Sequence, residues 1–204
     1  MRRIILSGLA FLVVIAASLA IPARQAAATP EQASKFVGEL SAEVLDVLKS
    51  KAPIDAREAR LRGLLQRGLD LDFMSRFAIG RYWQDASPQQ RSRYAAVFAD
   101  FVLRSYAHRL ADQRALRFTI TSVRETENGD VVVDESVEVP QGPPANYSFR
   151  VRNSGKGPKI IDVAVEGASL LLAQRMDFML VVQKQGLDGL IQAIRQKTLE
   201  QTGT

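Results

Sequence analysis

The chain has 204 residues, 47% hydrophobic and 24% charged, with a formal net charge of +5 and no cysteine. That length suits one domain with small additions, and the missing thiols exclude a disulfide framework, a thiolate metal site and a cysteine nucleophile. Residues 1–28 carry Arg2, Arg3 and Arg24 and no acid, so without them the net charge falls to +2. That balance is too mild for a protein that binds nucleic acid by neutralising phosphates.

Those first residues have the pattern of a secretory signal peptide. Arg2 and Arg3 form a positive start, Ile4 to Ile21 is apolar, and Ala26-Ala27-Ala28 is a small-residue cleavage pattern. Cleavage near Ala28 leaves 176 residues, 29–204, as a single domain in an exported, periplasmic chain. The competing reading is an uncleaved anchor, because the run approaches membrane-spanning length.

From Glu31 to Leu48 the apolar residues Phe36, Val37, Leu40, Val44, Leu45, Val47 and Leu48 recur at helical spacing. Ala52-Pro53-Ile54 breaks the pattern. Asp55 is read as the cap of a second helix running to Leu69, and Asp72 as the cap of a short third that Gly80 ends. The single tryptophan, Trp83, follows in a connection, where it is expected to anchor the chain against the helical layer. Ser87, Pro88 and Gln90 then form the clearest helix start in the sequence, a capping box with proline at the first position. The helix predicted from there to Ala111 carries Tyr94, Val97, Phe98, Phe101, Val102, Tyr106 and Leu110 on a broad apolar face.

The period then changes to two. Leu116 to Arg124 places Phe118 and Ile120 on one face. Asn128-Gly129-Asp130 is a hairpin turn. Val131 to Val139 is β-branched, and Pro140 to Pro144 is a breaker. Asn146 to Arg152 places Tyr147, Phe149 and Val151 together. Lys159 to Val165 does the same for Ile161, Val163 and Val165. Two closing helices are predicted, one from a Ser169 cap to Lys184 and Gly186, the other from Asp188 to Leu199. The fold class expected is α+β: an antiparallel sheet of about four strands packed against several helices.

Catalytic material is scarce. The one histidine, His108, lies in the aromatic helix with no evident partner set for a general base. One histidine and no cysteine leave only carboxylates for a metal, so no metal centre and no cofactor are expected. Asp70 and Asp72 read more simply as turn and cap residues than as paired acids. Asp162 and Glu166 share a strand face and are expected to meet solvent or arginines such as Arg150 or Arg175. A hydrolase built on Asp162 or Glu166 is the enzymatic alternative. What stands out is an apolar surplus: Leu170, Leu171, Leu172, Met176, Phe178, Met179, Val181 and Val182 surround nearly the whole first closing helix. A helix apolar all round needs cover on several sides. Periodicity does not distinguish a filled core from a hollow one.

Two segments carry a resemblance. Residues 69–110, "LDLDFMSRFAIGRYWQDASPQQRSRYAAVFADFVLRSYAHRL", and residues 160–197, "IIDVAVEGASLLLAQRMDFMLVVQKQGLDGLIQAIRQK", resemble the signatures of the MlaC family of periplasmic phospholipid-binding proteins. Asp72-Phe73 resembles the family's "FDF" entry, with Leu71 replacing its first aromatic. Gly80, Tyr82 and Trp83 match its "LG-x-YW" segment, and Ser87 to Arg91 its helix start. Phe98 and Tyr106 match its aromatic helix. Asp162-Val163, Glu166-Gly167 and Ser169-Leu170 match "DV-x-V-EG-x-SL", and Arg175 and Phe178 follow as in the family. Ala173-Gln174 stand where relatives often have Asn-Tyr. A related family of hopanoid-handling proteins shares the flavour of Met74 to Gly80.

The resemblance implies a soluble, non-enzymatic carrier that binds phospholipid acyl chains in an apolar cavity between sheet and helices. Its implied partners are an outer-membrane lipoprotein complex and an inner-membrane ABC transporter complex with a membrane-anchored lipid-binding subunit. The implied task is maintenance of outer-membrane lipid asymmetry. A hopanoid carrier and a lipid-free adaptor are the alternatives. The expected lining is Phe98, Phe101, Val102, Tyr106, Phe118, Ile120, Tyr147, Phe149, Val151, Ile161, Val163, Val165, Leu171, Arg175 and Met179.

Overall fold

In the computed structural model residues 28–112 and 117–201 are described, so the signal-peptide reading lies outside them except for Ala28. Along the described residues the helices are α1 (Pro30–Lys49), α2 (Ile54–Gly68), α3 (Leu71–Ile79), α4 (Tyr82–Asp85) and α5 (Pro88–Ala111). The strands β1 (Arg117–Glu125), β2 (Val131–Glu138), β3 (Ala145–Asn153), β4 (Pro158–Val165) and β5 (Ala168–Ser169) follow, and α6 (Leu170–Gln201) closes the chain.

Local chemistry sets the helix starts. The Ser87–Gln90 box forms as the sequence predicts: the Gln90 amide donates to Ser87 Oγ at 3.2 Å, and the Ser87 amide to Gln90 Oε1 at 3.1 Å. Thr29 and Gln32 make the same exchange at the start of α1, both at 3.2 Å. Two expected caps move. The residue before α2 is Pro53, which offers no side-chain cap, and Asp55 lies inside the first turn, where it complements the helix dipole. Asp70 caps α3 by accepting from the Phe73 amide at 2.9 Å, and Asp72 is in the first turn. The two predicted closing helices form one run, α6, broken at Gly186, whose φ of 69° and ψ of 179° are non-helical.

The five strands form an antiparallel meander in sequence order, one more strand than expected. The addition, β5, is a two-residue strand beside β4, too short to show a period. Directly opposed residues share a face. Rows across the inner face therefore read Val131–Val151–Ile160, then Val133–Phe149–Val163, then Glu135–Tyr147–Val165. On β1, Val123, Ile120 and Phe118 oppose Val133, Glu135 and Val137. The register shifts once in β1, past Thr121, and once in β4, past Ile161. The expectation that Ile161 shares the alternation of Val163 and Val165 is thereby corrected: Ile161 is the extra residue, and Ile160 takes its place opposite Val151.

The opposite face is polar. Asp130, just before β2 and only 1% exposed, accepts from Arg150 Nε at 2.8 Å and from Arg152 Nε and Nη2 at 2.7 and 2.9 Å. Burial opposes its ionisation, but the two guanidinium groups outweigh burial and lower its pKa.

On the inner face α1 lies close to the sheet. A Cβ added to Gly38 would sit 3.6 Å from Ile120 Cδ1. Three residues on, Ser41 Oγ donates to Glu135 Oε2 at 2.8 Å. Glu135 is 2% exposed, and burial raises its pKa while the Ser41 hydroxyl opposes that rise. Ile120 and Tyr147 face it from the neighbouring strands, and no charged group contributes to its shift.

The two carboxyls act in opposite directions as pH changes. Asp130 contributes stability above its unfolded pKa, and that contribution is lost as pH falls through its lowered folded value. Glu135 contributes below its unfolded pKa, and its contribution is lost as pH rises through the raised folded value. Melting temperature measured against pH should therefore show an upper limb that flattens in Glu135→Gln. An unchanged upper limb in that variant would remove Glu135 as its source.

Candidate functional site

The helical layer is held by aromatic contacts. Phe178 of α6 meets Tyr94, Phe98 and Phe101 of α5 at ring-centroid distances of 6.5, 6.2 and 6.1 Å. Trp83 stands edge-on to Tyr94 at 6.5 Å, with the Arg91 guanidinium 5.7 Å from its ring and Arg91 Nε bonded to its carbonyl at 2.8 Å. The tryptophan lies in the short helix α4 rather than in an irregular connection, and it packs that helix against α5. Burial raises the Tyr94 pKa strongly, and the phenol donates to the Ser75 carbonyl at 3.2 Å.

Against this layer the inner sheet face is unevenly covered. The row Val131–Val151–Ile160 is sealed, at 0, 0 and 1% exposure. β2 is also buried along its inner side at Val133, Glu135 and Val137. On the flanking strands Phe118, Ile120 and Val123 of β1, Tyr147 and Phe149 of β3, and Val163 and Val165 of β4 are only half-buried, although they point inward. Tyr147 and Phe149 stack at 6.4 Å along β3. Half-covered apolar side chains on an inward face mark incomplete packing there, in contrast to the density of ordinary cores. This region, closed at the Ile160 end, is the candidate site.

Of the expected lining residues, Phe98, Phe101, Val102, Val151 and Leu171 are buried in the main apolar cluster, with Tyr106, Ile120, Phe149 and Val163 packed against it. Phe118 and Tyr147 pack instead against a second cluster built by Val47, Leu61, Leu64 and Ala107. Ile161 is buried, and Val165 and Met179 are half-buried, outside both clusters among the described residues. Sequence reasoning missed Ile160 and Val123, which the register shifts turn inward, and the Ser41–Glu135 pair. It also left α1 out of the site, although Phe36 and Leu40 pack against the main cluster and their spacing was visible.

Arg175 has a different role. Its guanidinium donates to the Phe77 carbonyl and stacks 4.9 Å from the Phe77 ring. It occupies the space over Gly80, where an added Cβ would come within 2.6 Å of Nη2, and Gly80 has φ of 51°. The glycine and the arginine, nearly a hundred residues apart in sequence, are one packing unit joining α3 to α6.

The remaining ionisable candidates hold backbone and turns. Asp162 accepts from Ser169 Oγ at 2.7 Å and the Leu171 amide at 3.3 Å, and Glu166 accepts from the Asn146 amide at 2.6 Å. Glu166 is exposed, which agrees with the solvent half of the expectation, but neither carboxylate pairs with Arg150 or Arg175; the nearby amides and hydroxyl bond them instead. His108 Nδ1 lies 2.8 Å from Glu58 Oε1 on the outer side of α5. Among the described residues no group of three acids or histidines is placed to hold a metal. A surface pocket of about 360 Å³ beside α3 is lined by Asp70, Asp72, Arg76, Lys156 and Lys159 among others, a mixed-charge lining unsuited to acyl chains.

The MlaC protein family profile matches residues 38–196, which includes both the half-covered sheet face and the Gly80–Arg175 unit. The chain belongs to the MlaC family. A curated relative, the intermembrane phospholipid transport system binding protein MlaC of Haemophilus influenzae, is 23% identical over 159 residues, 74% of each chain. The fold is similar to that of a phospholipid-binding protein from Ralstonia solanacearum solved with a phospholipid. That match has a TM-score of 0.74 and 24% identity, covering 84% of this chain and 99% of the other.

Within this MlaC-family fold, Gly80→Ala should lose stability through both its positive φ and its contact with Arg175, by about 1–3 kcal/mol. Adding Arg175→Ala should recover part of that loss. Chemical denaturation of both single variants and the double variant measures the coupling, and strict additivity would separate the two residues.

Proposed function

We propose that this chain is a periplasmic lipid carrier that shelters phospholipid acyl chains between the inner sheet face and the helices. One observation carries the reading: inward-facing Phe118, Ile120, Tyr147, Phe149, Val163 and Val165 remain half-covered in a chain large enough to bury them. The phospholipid named for both the curated relative and the structural neighbour supports the choice of cargo.

The energetics fit such a task. Burying a methylene gains about 0.8 kcal/mol, so two chains of about fifteen methylenes cost about 24 kcal/mol to expose. A carrier in water must cover nearly all of both. Acyl chains vary, so the contact surface is aliphatic and aromatic rather than shaped for one ligand. A single buried carboxyl, Glu135, is tolerated there because the Ser41 hydroxyl bonds it, while burial raises its pKa.

In this reading the chain carries lipid between an outer-membrane lipoprotein complex and an inner-membrane ABC transporter complex, and so serves outer-membrane lipid asymmetry. The sequence contains no nucleotide-binding loop. The protein alone equilibrates lipid between donor and acceptor, and any direction comes from a partner's differential affinity or ATP hydrolysis.

Native mass spectrometry of the purified chain should show bound phospholipid, and solvent extraction should identify it. Phe149→Glu places a charge in the half-covered region and should abolish the bound mass while circular dichroism remains native. A wild-type protein free of lipid would sink the proposal, and an extracted hopanoid would replace the cargo.

A further inference from the structure

The first part of α6 turns one side toward the core, burying Leu171, Phe178 and Val182. Its other side is apolar too. Leu172, Met176 and Leu180 recur every four residues and are 50, 64 and 58% exposed. Phe77 of α3 is 36% exposed, and Arg175, one residue before Met176, stacks on its ring. The two helices thus present one surface with large apolar side chains and an arginine between them.

We propose that this surface docks on a lipid bilayer with anionic headgroups. Charge decides the occupant. The Arg175 guanidinium is met by the Phe77 carbonyl and ring rather than by a carboxylate among the described residues. Arg76 and Arg81, exposed on the two sides of Phe77 in sequence, add further positive charge. The acids nearby are Asp70 and Asp72, which share the pocket beside α3 with Arg76, Lys156 and Lys159, Asp85 on α4, and Asp177 on the far flank of the α6 stripe, where Lys184 also lies. Apolar side chains that enter the acyl boundary, beside arginines that reach phosphate, are the two halves of interfacial membrane binding. Arginine suits the second half because its planar fork binds phosphate oxygens in pairs. The described helices contain no membrane-spanning candidate, and the proposed contact is one of side chains entering the interface rather than of a helix crossing it. The inference goes beyond cargo binding: the stripe lies on the outer side of α6, away from the half-covered sheet face. It would bring the carrier to the membrane surface itself.

Co-sedimentation of the purified chain with phosphatidylglycerol–phosphatidylethanolamine vesicles and with phosphatidylcholine vesicles tests this. Binding should favour the anionic vesicles and weaken with salt. M176S/L180S should weaken it by roughly tenfold or more. R76Q/R81Q, which leaves the apolar stripe intact, should reduce the preference for anionic vesicles. Both variants should keep their co-purified lipid by native mass spectrometry. The proposal is overturned if the wild-type chain ignores anionic vesicles, as a surface reserved for a protein partner would, or if both variants bind like wild type. It is also overturned if M176S/L180S loses its bound lipid, which would assign the stripe to the cargo site. A wild-type chain that binds vesicles but carries no lipid would instead remove the carrier reading and leave the docking surface standing.

Discussion

Phe178 is the contact on which the arrangement depends. Three rings of α5 close around it, and so α5 and α6 bury much of each other's apolar surface without using the sheet. Such ring pairs are worth about 0.5–1.5 kcal/mol each beyond the area they bury. The same cluster reaches the sheet with fully buried residues at Val131, Val133, Val151 and Ile160, and with half-buried ones at Ile120, Val123, Phe149 and Val163. The helical layer is thus joined by its own aromatic contacts, while α1 meets the sheet at Ile120 and Glu135 and the inward side chains of the flanking strands stay half-covered.

Much of this was legible in the residues. The Ser87 box, the aromatic helix and the period-two strands were direct local signals, and the structure contains them with small changes in their bounds. The misplaced caps have a simple cause: Asp55 and Asp72 are good caps by type, but in both helices the backbone turns two positions earlier, at Pro53 and Asp70. Ile160 and Val123 escaped because alternation assumes an unbroken strand, and a single extra residue reverses the phase. Glu135 escaped for a different reason. An acid in a β-branched run reads as solvent-facing, and only the meeting of α1 with β2 supplies the Ser41 hydroxyl that lets it stay inside.

The distribution of charge separates the two sides of the sheet. Outside, Asp130 with Arg150 and Arg152, and Asp134 with Arg124 and Ser148, make ion pairs and hydrogen bonds that bind strands to one another. Inside, burial raises the pKa of the one carboxyl on the middle of the sheet, Glu135, and the Ser41 hydroxyl bonds it. Acids that sequence inspection offered as reactive are occupied in capping helices or closing turns.

The two register shifts have a geometric meaning. One lies past Thr121 in β1, the other past Ile161 in β4, so they sit on either side of the central pair β2 and β3. An extra residue bends its strand and sharpens its twist. Two such bends on opposite flanks curl a flat wall into a half-pipe. The depth of that half-pipe is then a matter of side-chain size, open to gradual change by substitution. Its breadth is written in the count of backbone residues and changes only when a residue is gained or lost.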